Sequence, residues 1–185
     1  YPDIIRLGDV TKWQDWDIDW ASIDLIIGGS PCQSFSSLGN GSGFDGKSGL
    51  FYEYVDIMNK VLENNPNAYF LLENVVMKKE WQDVISKIMG VEPIMIDSAL
   101  VSEQQRKRLY WTNIPVNSLP HDRRLVLRDI LEKEVDKKYF LSEKALSFFL
   151  QNSMKMEEAG NGFRFEPTDG NSKGKAVTTR NGSRM

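Results

Sequence analysis

The reactive side chains of this chain are few and spaced apart. Cys32 is its only thiol and His121 its only imidazole. One cysteine allows no internal disulfide, and one histidine beside it leaves a zinc site short of ligands, so no metal centre is expected. Cys32 lies in "GGSPCQSFSSLGNGSGF", which runs from Gly28 to Phe44. A thiolate there is a soft nucleophile, but an isolated cysteine is more often core filling. Glu73 and Asn74 are the polar pair near the end of the apolar run "AYFLLENVV" (68–76). "QQRKR" (104–108) supplies Gln104, Arg106 and Arg108, and guanidinium groups suit carboxylates and phosphates. Asp9 follows a short apolar run in "LGDV".

The flanking patterns say what would position these groups. "IIRL" (4–7) predicts a short strand and "IDLIIGG" (23–29) a buried one that stops at its glycine pair. The Ser/Gly stretch from Pro31 to Gly49 has no periodicity and is long for a loop, a feature of functional or mobile segments. Residues 49–65 carry apolar side chains at helical spacing, stopped by Asn64, Asn65 and Pro66. Residues 68–76 predict a strand and 80–90 a helix closed by Gly90. Residues 91–99 and 108–114 predict a hairpin-like pair of strands. "LVLRDILEK" (125–133) and "SEKALSFFLQNSM" (142–154) predict later helices, the second capped by Ser142. Strand–helix alternation implies an α/β fold, a parallel sheet with helices on both faces. Ligands of such sheets sit at the carboxyl ends of strands, where Asp9, Pro31–Cys32 and Glu73–Asn74 all fall.

Charge is divided along the chain. Residues 1–100 hold 7 Lys/Arg against 15 Asp/Glu, and residues 101–185 hold 16 against 11. The second part could meet a polyanion, although a solvated basic surface is the commoner meaning of such a bias. No apolar run approaches the roughly 20 residues of a membrane span.

In this order and spacing, "GGSPCQSFS", "GLFYEY", "ENV" and "QQRKR" resemble the DNA cytosine-5 methyltransferase family. The wording is closest to the animal de novo methyltransferases and to phage and bacterial relatives. The resemblance covers about residues 7–114. It implies a Rossmann-like S-adenosylmethionine methyltransferase sheet and duplex DNA as partner. Cys32 then matches the nucleophile that adds to carbon 6 of cytosine, which makes carbon 5 an enamine carbon able to take a methyl. Glu73 matches the acid at ring N3. Arg108 would touch the cytosine O2 or a phosphate, and Arg106 would brace the site against a carboxylate. Pro31, Gln33, Ser34, Asn74, Val75 and Gln104 match positions around the base. Glu103 stands where the family often has proline. Asp9, Val10 and Leu50 match cofactor positions, with Asp9 accepting from the adenine amino group. Ser34 to Lys47 would cover the flipped base, with Ser36, Ser37 and Lys47 reaching the backbone. Thr178, Thr179 and Arg180 are candidates for reaching DNA.

On this reading residues 1–135 are a partial catalytic core and 136–185 the start of a target-recognition region. The family's Phe-x-Gly-x-Gly loop, its ribose-binding acid and its final motifs are not in this chain. The expectation is a fragment, incomplete at the N-terminus, whose partner is the missing N-terminal segment of a parent chain. By itself it should bind S-adenosylmethionine weakly. The implied location is the cytoplasm of a prokaryote or phage-infected cell, in restriction-modification. Two other readings are an RNA (tRNA) cytosine-5 methyltransferase and a non-catalytic DNA-binding piece of the same fold.

Overall fold

The computed structural model describes residues 3–31, 50–158, 160, 165 and 167–175. Contacts group the chain into two units: Tyr1–Asp97 with Lys107–Leu119, and Ser98–Arg106 with Pro120–Met185.

The first unit is built on a sheet. Its strands are β1 (Leu25–Gly28), β2 (Tyr69–Val75), β3 (Ile94–Asp97) and β5 (Lys107–Thr112), in spatial order β1-β2-β5-β3. β1 and β2 are parallel, and β5 runs antiparallel to both β2 and β3. Helix α1 (Leu50–Asn64) connects β1 to β2, and α2 (Lys79–Met89) connects β2 to β3. The expected strand pair is present, with β5 inserted between β2 and β3, so the sheet is mixed rather than parallel throughout.

Helices α1 and α2 lie on one face of the sheet, where helices on both faces are expected. Phe70, Leu72, Leu109 and Trp111 share one sheet face by register and are buried with Phe51, Tyr54, Val55, Met58, Ile85 and Met89 of α1 and α2. Both crossovers move the same way along the sheet, and right-handed crossovers then land on the same face. The opposite face shows Leu25, Ile27 and Tyr69 to solvent among the described residues. Trp111 is fully buried, and its indole N–H donates to Ser86 Oγ on α2 at 3.0 Å. Asn113 closes the β2–β5 ladder by accepting from Phe70 N and donating to Ala68 O.

Local chemistry explains the ends of these elements. Gly90 ends α2 in the left-handed region (φ 71°), where its N–H donates to Ser86 O. Gly28 has no room for a side chain, because a Cβ there would run into the Tyr54 ring. Residues 4–7, expected as a strand, are irregular, and Ile4 and Ile5 are 59% and 81% exposed. A strand needs a ladder partner, and nothing among the described residues pairs with this segment.

The second unit holds β4 (Gln104–Gln105), α3 (Glu143–Glu158) and β6 (Gly174–Lys175), with β4 and β6 in a short parallel ladder. Ser142 caps α3 as expected, its Oγ accepting from Ala145 N at 3.2 Å. The helix expected over 125–133 is only a single 3-10 turn, Leu127–Asp129. The amides of Leu127 and Arg128 donate instead to Ser172 O and Gly170 O, so they enter no longer helix. No helix among the described residues is long and apolar enough to cross a membrane.

Candidate active site

Two candidate residues, Glu73 and Asn74, lie toward the carboxyl end of β2. Glu73 lies opposite Tyr110 and Arg108 opposite Val75, which makes Glu73 and Arg108 diagonal neighbours on one face of the antiparallel ladder. Arg108 Nε lies 2.7 Å from Glu73 Oε1, with the side chains 21% and 32% exposed. Arg108 Nη1 also donates to Lys107 O at 2.8 Å, which restrains the guanidinium. Arg108 thus meets a carboxylate across the ladder. Arg106 belongs to the second unit, where its carbonyl accepts from Ser98 N.

The neighbouring residue faces the other way because strand side chains alternate. Asn74 is 1% exposed; its Nδ2 donates to Ser30 Oγ at 3.0 Å and its Oδ1 accepts from Val75 N at 2.9 Å. Gly29 passes close to the carboxylate, since a Cβ there would stand 3.4 Å from Glu73 Oε2. Asn74 therefore holds Ser30, while Glu73 lies beside Gly29. Pro31 is half-buried, and Cys32 is the next residue. Gly29 and Ser30 carry no reactive side chain for cytosine chemistry, and it is their place beside Glu73 and Asn74 that marks them.

Gln104 is half-buried in the second unit, accepting on its carbonyl from Ser98 Oγ at 2.7 Å. Asp9 caps a 3-10 turn, Val10–Asp15, with Oδ1 accepting from Thr11 N and Thr11 Oγ1. The Thr11 amide, then its hydroxyl, hold the Asp9 carboxyl below its usual value. Trp13 of that turn donates to Glu53 of α1 at 3.1 Å, which ties the turn to the helix that Leu50 opens. Val10 and Leu50 are both half-buried. Cys32, Gln33, Ser34, the Ser34–Lys47 stretch with Ser36, Ser37 and Lys47, and Thr178, Thr179 and Arg180 lie outside the described residues.

Fold and site together define a class: an α/β protein with a Rossmann-like methyltransferase sheet and a carboxylate–arginine pair at a strand's carboxyl end. The family model described as C-5 cytosine-specific DNA methylase matches residues 2–89. Type II methyltransferase M.HpaII of Haemophilus parainfluenzae is 30% identical, over 88% of this chain and 51% of its own length. Type II methyltransferase M.DsaV of Dactylococcopsis salina is 30% identical, over 89% and 51%. Orphan methyltransferase M.Rho11sI of Bacillus phage rho11s is 27% identical, over 83% and 39%. Over residues 2–89 the chain matches the C-5 cytosine DNA methyltransferase family. It spans about half, or less, of the length of these relatives.

Proposed function

We propose that this chain supplies the cytosine-binding side of an enzyme that methylates carbon 5 of cytosine in duplex DNA. The Glu73–Arg108 pair beside the Gly29–Ser30 backbone is the observation that supports it, because it puts an acid and a cation close in space to the segment leading to Cys32. The Cys32 thiolate adds to carbon 6 of a flipped base, and the ring electrons move to carbon 5. Glu73 hydrogen-bonds or protonates ring N3, which draws charge from carbon 6. Arg108 keeps the Glu73 carboxyl aimed at the ring. After carbon 5 gains its methyl, loss of the carbon-5 proton expels the Cys32 sulfur and restores the ring.

S-adenosylmethionine, when bound, supplies an electrophilic methyl. The residues present fit its adenine side. Both Thr11 donors converge on Asp9 Oδ1, and Oδ2 has no hydrogen-bond partner among the described residues, so it suits an amino group. Val10 and Leu50 offer apolar surface. Residues 1–135 would form the catalytic core and 136–185 open the target-recognition region, with Thr178, Thr179 and Arg180 reaching DNA, in the cytoplasm of a bacterial or phage-infected cell. Gln33, Ser34, Val75, Gln104 and Arg106 would line or brace the base site.

Duplex DNA carrying 5-fluorocytosine tests the reading, because fluorine blocks the final elimination and traps the adduct. The native protein should be trapped covalently and Cys32→Ser should not. An adduct with Cys32→Ser would overturn the nucleophile assignment, and transfer to tRNA in preference to duplex DNA would overturn the substrate.

A further inference from the structure

We infer that Lys173 is a positioning residue for the Gln104–Arg108 segment: its ammonium clamps the loop from which that segment emerges. The inference rests on the proposed methyl transfer for its functional consequence. Lys173 Nζ donates to Ala99 O, and to Ser102 O at 2.9 Å, with Asp122 Oδ1 at 4.0 Å. The side chain is 25% exposed, so these bonds are partly shielded from water. An ammonium has three donors in a tetrahedral spread, which suits two converging carbonyls and a carboxylate. Carbonyls turned into a tight loop need donors from elsewhere, and Lys173 supplies them from about 70 residues downstream in the chain.

The main chain beside Lys173 continues the clamp. Gly174 N donates to Glu103 O at 2.7 Å, and the β4–β6 register sets Gln104 against Gly174 and Gln105 against Lys175. Within the loop, Ser98 Oγ donates to Gln104 O, and Ser98 N donates to Arg106 O at 3.1 Å, closing its neck. Gln104 is thus held by its own loop on one side and by the Lys173–Gly174 segment on the other. Arg106 is the neck residue, and β5 with Arg108 starts immediately after it. Freeing the loop would loosen the start of that strand, and catalytic groups misplaced by about 1 Å lose roughly a hundredfold in rate. Thr178 is five residues beyond Lys173, so the same segment leads toward the candidate DNA-reading residues.

The test compares Lys173→Met, which keeps length and removes the charge, with Lys173→Arg, which keeps cationic donors, both in the intact native protein. Steady-state methylation of duplex DNA and amide hydrogen exchange are measured for each. K173M should lower kcat by about tenfold to a hundredfold while KM for S-adenosylmethionine is unchanged. The amides of Gln104 and Gly174 should exchange faster in K173M, and K173R should restore both kcat and exchange. Native kcat in K173M, or slowed methylation with native exchange at those amides, overturns the clamp. If K173M does not fold, Lys173→Gln carries the test, with slowed methylation plus faster exchange supporting the clamp and native values overturning it. No methyl transfer by the native protein would sink the functional reading instead, and the exchange comparison would still decide the clamp.

Discussion

Glu73 and Arg108 meet because of a ladder offset. Diagonal residues on one face of an antiparallel pair are within reach of long side chains, and arginine spans that gap. Both are partly exposed, so solvent screening holds the pair to about 1 kcal/mol of stability at most. Its larger consequence is orientation. Glu73→Gln keeps the shape and one acceptor but removes the acid and the charge that aligns Arg108. We expect kcat for methylation to fall by about a hundredfold or more, with folding near native, as measured by methyl transfer beside a thermal melt. Arg108→Lys should also lose rate, because an ammonium cannot bond the carboxylate through Nε while reaching its own strand's carbonyl.

At the scale of elements, the β1-to-loop turn is positioned by close packing against α1 and by β2. Gly28 faces α1 at a distance that only glycine tolerates, whereas Gly29 meets Glu73 at an ordinary contact distance. The two glycines should therefore respond differently to one added methyl. Gly28→Ala pushes into the buried Tyr54 ring and should destabilise the protein by about 1–3 kcal/mol in urea unfolding. Gly29→Ala should unfold close to the native midpoint. Equal effects would mean that the Tyr54 contact does not limit this turn. Burial also pushes the Tyr54 phenol up, so the ring stays neutral beside Gly28 throughout the working pH range.

Across the whole molecule, three exposed aspartates organise local turns. Asp9 is held below the usual carboxylate value by the Thr11 amide first and its hydroxyl second. Asp136 is lowered by the Lys138 amide and then its side chain, and Asp169 by the Asn171 side chain and then its amide. A folded-state pKa below the unfolded one stabilises fully above the unfolded value of 3.8. That contribution disappears as pH falls through the lowered folded values. Thermal midpoints should be flat from neutral pH down to about 4.5 and decline below about 4. Asp9→Asn and Asp169→Asn together should flatten the acid side of that profile. Full exposure keeps each contribution small and sensitive to salt.

Much of the site was legible in the sequence because it depends on residue type and order. The apolar runs, the Gly90 stop and the Ser142 cap depend on side chains within a few positions of one another, and these appeared where their spacing placed them. The motif set "GGSPC", "ENV" and "QQRKR" likewise carried the family. Residues 4–7 and 125–133 went otherwise because the deciding partners are distant. An apolar tetrapeptide is a strand only with a neighbour to bond, and the amides of Leu127 and Arg128 are taken by the 170–172 segment. The sequence by itself determined which residue types are available for the chemistry and which chemical family they belong to. Only the tertiary structure decided that Glu73 pairs with Arg108, that Gly29 and Ser30 are held against β2, and that Lys173 grips the loop before β5. Those depend on ladder register and chain crossings, which join residues tens of positions apart and leave no local periodicity to read.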